Sequence, residues 1–435
     1  MTDAPLARLP SLPRDAVLVH VGPFKTGTTA IQTTLASMRQ LLQDAGVSYP
    51  GVEPAHHRAA KSLMRRQEGG ESNPAPPPPP EVWEELAREV SATSDRVVLS
   101  SEFLGDADDD ARVKLVQDLG PDRVHILAAA RNPVMLALSN WQQVVRTYGR
   151  AVSLEEWLEE AFRRSDRTPN RFWRRADPEA LISGWARILP PERITVVVLD
   201  EADRTLLPAT FERLLDLPDG ALVGQPVPYS NRSLTSLEVT LIHRIIEGLD
   251  SKLSWQEYSR TMRNGVIKRL VQMREPGDDE GKARLPGWAI EQSATEAERG
   301  IAWLEASGVH LAGSLDSLRG PSYAVEGEDA PVEQVPIELA AEAALGAIAV
   351  AARGTWTLDA PPRGRRARSA SKPRTRRDAG TERGGRNRSA GVAETSTPVD
   401  AVPTRELAVI LGRRVRAALR RRAARLARGG RRDRA

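Results

Sequence analysis

The chain has 435 residues, with 62 Lys+Arg against 58 Asp+Glu and no cysteine. That length suits one full-sized domain with appendages. The missing cysteines exclude a disulfide framework, a thiolate nucleophile and a cysteine-ligated metal. The net charge of +4 hides a split: residues 361–435 hold 23 Lys+Arg and 6 Asp+Glu, a balance of +17, leaving −13 for residues 1–360. Acidic partners are therefore sought at the tail. The first residues lack the basic, apolar, small-residue progression of a secretory leader. The longest apolar run, "LGAIAVAA" from Leu345, is far shorter than the ~20 residues a spanning helix needs. A cytoplasmic enzyme or binding protein is expected.

After an N-terminal extension (1–15), "AVLVHV" (Ala16–Val21) is a near-continuous apolar run, as in a strand buried on both faces. A Gly/Thr-rich loop follows. Ile31, Leu35, Met38, Leu41, Leu42 and Ala45 then recur at helical spacing, with Gly46 as the stop. "NPAPPPPP" (Asn73–Pro80) is a stiff polyproline insertion. A helix over Glu81–Val90 precedes a second strand, "RVVLSSE" (Arg96–Glu102), and Arg123–Arg131 forms a third. Pro133 suits the first turn of the next helix, which buries Val134, Ala137, Leu138, Trp141 and Val145 and stops at Gly149. A helix carrying Leu181, Trp185 and Leu189 leads to a fourth strand, Arg193–Asp200.

Strands alternating with helices predict a three-layer α/β fold, a mainly parallel sheet with helices on both faces. Ser233 to about Leu318 reads as a helical C-terminal part of the same domain, so the domain is placed at 16–320. A linker or helical segment (321–360) follows. Residues 361–403 are too rich in Arg, Gly, Ser and Pro to form a core and are expected to be a disordered basic linker. Over 404–429, capped by Thr404, the residues Leu407, Leu411, Val415, Leu419 and Leu426 form an apolar stripe beside an arginine face. Residues 430–435 end the tail. This helix fits an anionic membrane surface better than nucleic acid, because a membrane also buries the stripe. Attachment at the periphery of the inner membrane face is the resulting expectation.

The loop "GPFKTGTT" (Gly22–Thr29) lies between a buried strand and a helix. Its backbone N–H groups and the helix dipole converge on one spot. Lys25 adds charge, and Thr26, Thr28 and Thr29 add hydroxyl donors around Gly27. The unit is built for a multiply charged oxyanion. A second candidate is "RNPVMLALS", in which Arg131 ends a strand and Ser139 stands eight positions later. A guanidinium there can make paired, charge-assisted bonds to a phosphate, and ligands of such sheets bind at that end. Glu102, closing "VVLSSE", is placed to take a proton, and the adjacent His56 and His57 offer a rival base. In "YSNRSLTSLEV", Asn231, Arg232 and Ser233 precede an amphipathic helix, where a plain helix cap is the competing reading. Trp141, Trp157, Trp173 and Trp185 fall on apolar helical faces; Trp173 is also a candidate sugar platform.

"PFKTGTT" resembles the 5′-phosphosulfate loop of the sulfotransferase family, approximately P-K-[ST]-G-[ST]-[ST]. It departs only at Phe24, where many members have proline. The Arg131/Ser139 spacing is similar to that family's site for the donor's 3′-phosphate. The resemblance covers about residues 16–245 and implies a P-loop-like fold. It also implies 3′-phosphoadenosine 5′-phosphosulfate (PAPS) as co-substrate, no metal, and transfer of a sulfuryl group to a hydroxyl-bearing glycan, lipid or metabolite. In that light Lys25–Thr29 would hold the phosphosulfate, Arg131 and Ser139 the 3′-phosphate, and Asn231, Arg232 and Ser233 would approach the nucleotide. Glu102 resembles the catalytic glutamate of the glycan-type members, whereas the small-molecule branch uses a histidine, the role open to His57. Two alternatives remain at this stage. A nucleotide kinase or NTPase on the same fold would call for a Gly-Lys-[ST] step, which the loop lacks. A non-catalytic polyanion-binding protein would act through the tail.

Overall fold

Apolar runs without polar alternation can persist only where both faces of a sheet are covered, and the chain places them there. The computed structural model describes residues 9–68, 75–148, 152–162, 172–225, 232–249, 253–277, 280, 284–320, 334–353 and 401–403. Six parallel strands, β1 (Val17–Gly22), β2 (Val47–Ser48), β3 (Arg96–Ser100), β4 (Val124–Ala130), β5 (Ile194–Val198) and β6 (His310–Ala312), lie in the order β2-β3-β1-β4-β5-β6. The chain builds outward from β1 to one side through β2 and β3, then to the other through β4, β5 and β6. The C-terminal end of β1 is thus a topological switch point, where such sheets open a crevice.

Around the sheet run α1 (Thr28–Ser37), α2 (Arg39–Asp44), α3 (His57–Leu63), α4 (Glu81–Ser91), α5 (Asp109–Leu119), α6 (Pro133–Tyr148), α7 (Leu154–Phe162), α8 (Trp173–Ala176), α9 (Pro178–Ala186) and α10 (Leu206–Leu215). The period-2 geometry of strands sends Val17, Val19 and Val21 to one face, against Trp83, Leu115, Leu181, Trp185 and Ile301. Leu18, Val98, Leu127 and Val197 go to the other, against Ile31, Leu35, Phe211 and Leu214. Two cores sharing one sheet make the three layers. Each fully buried valine or leucine is worth roughly 1.5–3 kcal/mol, which fixes where the strand ends fall.

Most of the rest of the described chain is helical: α11 (Ser236–Leu249), α12 (Trp255–Tyr258), a π-helical stretch (Ser259–Ile267), α13 (Lys268–Met273), α14 (Gly287–Ser307) and α15 (Ile337–Arg353). Of these, α14 packs on the sheet's first face through Ile301 and Leu304. The others form a further core with Trp141 and Val145 of α6. Gly265 and Gly346 let the π-helical stretch and α15 touch; a Cβ on Gly346 would lie 2.4 Å from the Gly265 carbonyl oxygen.

Three local outcomes differ from the sequence pattern. The helix expected from Thr28 to Gly46 breaks at Met38, where Arg39 bonds the carbonyls of Ala36 and Tyr49. Strands β2 and β6 are too short to show periodicity. Residues 337–353 take the helical form allowed for 321–360, with Leu339 and Val350 fully buried. Of the basic linker, Ala401–Pro403 pairs antiparallel with Gln334–Pro336; residues 354–400 and 404–435, including the expected 404–429 helix, lie outside the described residues. Among the described residues no helix is long and apolar enough to cross a membrane.

Candidate active site

At the end of β1 the register against β4 shifts between His20 and Gly22, a local irregularity that re-aims the chain. Gly22 has a φ of 92°, and a Cβ there would lie 3.1 Å from Cα of Glu102. Glycine is what allows the loop and the Glu102 turn to approach this closely. Lys25 also has a left-handed φ of 70°, a conformation that costs a non-glycine residue about 1–2 kcal/mol and turns its side chain into the loop's mouth. Its Nζ donates to Oε1 of Gln143 at 2.6 Å. Burial, with the Arg146 and Arg131 cations adding to it and Glu102 opposing, lowers the Lys25 pKa to about 8. Gly27 caps α1 with no side-chain acceptor, and while the Ala30 N–H donates to the Gly27 carbonyl, the N–H groups of Thr28 and Thr29 keep their capacity for an anion.

The three threonines divide their work. Thr26 closes the loop on itself, donating to the Pro23 carbonyl at 2.6 Å. Thr29 is exposed. Thr28 donates from Oγ1 to Oε1 of Glu102, a short contact. The anion loop and the candidate base are therefore joined by a single hydrogen bond.

Glu102 opens a 3₁₀ turn directly after β3 and is 5% exposed. Its Oε2 accepts from Gln32 Nε2 at 3.2 Å and faces His57 Nε2 at 3.3 Å. Burial alone would raise its pKa; the His57 charge and the bonds from Thr28 and Gln32 outweigh that and hold the carboxyl below its ordinary value. His57 starts α3 and is half-exposed, with Nδ1 3.0 Å from the Ser101 hydroxyl. Burial lowers the His57 pKa against the pull of Glu102, which favours the neutral ring. The tautomer that fits points Nε2–H at Glu102 and accepts from Ser101 at Nδ1. His56 is spent differently: its Nδ1 accepts from the Ser100 N–H at 3.0 Å and its Nε2 lies 3.0 Å from the Pro50 carbonyl. Burial lowers its pKa to about 4, making it a neutral strut. Beneath the site, Gln32 Nε2 also donates to Ser100 Oγ, which lies 2.8 Å from Nδ1 of the fully buried His20.

Arg131 follows β4. It ion-pairs through Nε with Glu201 and donates from Nη1 to the Lys25 carbonyl at 2.8 Å. Ser139 lies half-exposed on α6. The structure thus gathers Lys25, Thr28, Glu102, His57 and Arg131 at the ends of three adjacent strands. Arg232 is not turned to that spot: its guanidinium bonds both Glu238 oxygens at 2.7 and 2.6 Å and the Leu270 carbonyl at 2.8 Å. Ser233 is exposed, and Asn231 lies outside the described residues. Trp173 is fully buried, which removes it as a sugar platform.

Sequence reasoning missed Gln32, Ser101, Gln143, Arg146 and Glu201. Ser139, Gln143 and Arg146 follow an i, i+4, i+7 stripe on α6, beside the apolar face that was read, and that stripe was the available signal. Arg146 Nη2 donates to the Arg232 carbonyl at 2.6 Å. Burial lowers its pKa to about 10, with Glu238 opposing and Arg232 reinforcing. Among the described residues it makes no ion pair.

No protein-family model matches the chain, and no curated protein matches it. Among solved structures, a sulfotransferase from Alicyclobacillus acidocaldarius is similar at 18% identity, covering 51% of this chain and 87% of that one, with a TM-score of 0.33. A likeness that loose transfers neither family nor residue roles.

Proposed function

We propose that the chain is a PAPS-dependent sulfotransferase. The observation that carries this reading is the bond from Thr28, in a helix-capping anion loop, to the buried carboxylate Glu102. One site thereby holds an oxyanion cradle and a proton acceptor within a hydrogen bond of each other, the pair that group transfer to a hydroxyl requires.

In this reading the α1 N-terminus, Lys25 and Thr28 bind the phosphosulfate. Arg131 and Ser139 take the 3′-phosphate, with Arg146 adding a third cation. The acceptor oxygen attacks sulfur, the bond from sulfur to the bridging phosphate oxygen breaks, and 3′-phosphoadenosine 5′-phosphate leaves. Lys25 neutralises charge on that leaving oxygen. The acceptor's proton goes to the Glu102–His57 pair, whose two members share the basicity across their 3.3 Å contact. Thr28 must turn from Glu102 to the donor, which frees Oε1 for the acceptor hydroxyl. Arg232 serves the site through its carbonyl, which positions Arg146, and the nucleotide contact first expected of its guanidinium is dropped from the proposal.

Binding to the folded state alone raises the melting temperature. PAPS and 3′-phosphoadenosine 5′-phosphate should therefore stabilise the chain strongly and ATP weakly. Equal stabilisation by ATP would favour a nucleotide kinase or NTPase instead. The acceptor is a hydroxyl compound. Placement on a cytoplasmic anionic membrane through residues 404–429 belongs to the same proposal, and co-sedimentation with anionic vesicles, compared with a chain ending at Pro403, tests it.

A further inference from the structure

The Glu102–His57 pair has two groups of cations around it, and only one belongs to the donor loop. Lys25 has Arg131 and Arg146 as its cationic neighbours. His57 instead has Lys61, one turn further along α3, and Lys61 in turn has Arg66. Two phenyl rings organise this second group. Phe24 belongs to the anion loop, Phe103 directly follows Glu102, and the rings meet edge-on at 5.2 Å. His57 packs edge-on against Phe103 at 5.2 Å as well. Lys61 Nζ lies 4.5 Å from the Phe103 ring centre and the Arg66 guanidinium 5.1 Å from it, while the Arg175 guanidinium of α8 lies 4.5 Å from the centre of Phe24.

Arg66 and Arg175 both pair with the one carboxylate of Asp106, and Lys61 makes no ion pair among the described residues. Glu68 lies near Lys61 and Glu53 near His57, so acids are present too, but Lys61 is the cation of the three held by a ring and by no such pair. A ring holds a cation through its quadrupole and leaves its full charge available. Lys61, Phe24, Phe103 and His57 are all half-exposed, so the Lys61 ammonium is open to solvent beside the base. Cations held this way are cheap to present and ready for an anion.

We propose that this patch is an acceptor subsite. The acceptor would carry its own anionic group, a carboxylate, sulfate or phosphate, which Lys61 binds while a nearby hydroxyl faces Glu102 and His57. The Lys61 ammonium, held over Phe103 and without an ion pair among the described residues, sets the preference for anionic over neutral acceptors. This assignment rests on the sulfuryl-transfer reading, and it names the chemical class that reading left open.

The test uses two probes that differ at one carbon: para-nitrophenyl β-glucuronide, which has a carboxylate, and para-nitrophenyl β-glucoside, which has a hydroxymethyl group. Their binding to the full chain is titrated by ligand-observed NMR, with and without 3′-phosphoadenosine 5′-phosphate. The wild-type chain should bind the glucuronide about tenfold more tightly, the worth of one charge-assisted contact. Lys61→Gln should bring that ratio to about one, and Lys61→Arg should retain it. Equal binding of the two probes, no binding of either, or a preference that survives in Lys61→Gln overturns the subsite. The sulfotransferase reading fails separately, by a lack of nucleotide binding in the same samples, and a glucuronide preference lost in Lys61→Gln would still establish the anion subsite.

Discussion

Two buried carboxylates, Glu102 at the C-terminal end of a central strand and Glu238 in the helical part, are surrounded in opposite ways. Glu238 is fully buried and bonded by Arg232 and Arg274, while Arg274 also pairs with Glu280. Arginines hold their charge and do not exchange protons at ordinary pH, so that cluster is closed and serves the fold. Glu102 is bonded by a hydroxyl, an amide and a histidine, and by no lysine or arginine among the described residues. Every one of those partners can turn away or change protonation. Burial is similar at the two sites; the kind of partner separates a structural acid from a candidate chemical one.

The largest effect expected from this contrast is on catalysis. Glu102→Gln keeps the shape and most of the hydrogen bonding, so it should lower kcat by about 10²–10⁴-fold, the worth of a general base, with donor Kd and melting temperature little changed. A fully active Glu102→Gln chain would assign the proton to another group, with His57→Ala the next variant to assay. Lys25→Ala should cost about 10²–10³-fold in kcat, since it acts where charge develops.

Glu238→Gln should do the reverse. It leaves Arg232 without its carboxylate partner, and breaking one side of a buried pair typically costs about 3–5 kcal/mol. Chemical denaturation should show that loss, whereas Glu102→Gln should not. Comparable destabilisation by both substitutions would erase the distinction drawn here.

Smaller effects follow from pH. The Lys25 pKa, lowered to about 8, means that kcat/KM should fall above that pH as the free chain loses the ammonium. In Lys25→Arg, however low its rate, that alkaline limb should be absent. His20 and His56 both have folded pKa values near 4, depressed chiefly by burial. Their unfolded forms take up protons first, so stability is intact above about 6.5, the ordinary histidine value. It should decline as pH falls from there toward 4. Hydrogen exchange at pH 7 and pH 5 should find that loss around β1 and β3.

Much of this layout was legible from the amino-acid pattern. The strands at Val17, Arg96, Val124 and Ile194 announced themselves as apolar runs, and the ends of the first three carried Lys25, Glu102 and Arg131 with them. What the pattern could not show was pairing across the sheet. Nothing in "NRS" says that Arg232 turns to Glu238, six residues on, because the choice depends on the burial of α11 against α13. His57 gained its place beside Glu102 only through the packing of α3 beside the turn that follows β3. Glu201 is a further case: a carboxylate after β5 competes for Arg131, which a reading of the arginine alone could not include.

The central claim is that this site moves a sulfuryl group. Incubating the full chain with PAPS radiolabelled at sulfur and a panel of anionic hydroxyl compounds tests it directly. The account expects label on a hydroxyl of at least one acceptor with the wild-type chain, and a rate reduced at least about a hundredfold with Lys25→Ala or Glu102→Gln. Wild-type chain that neither transfers label nor is stabilised by 3′-phosphoadenosine 5′-phosphate would contradict it.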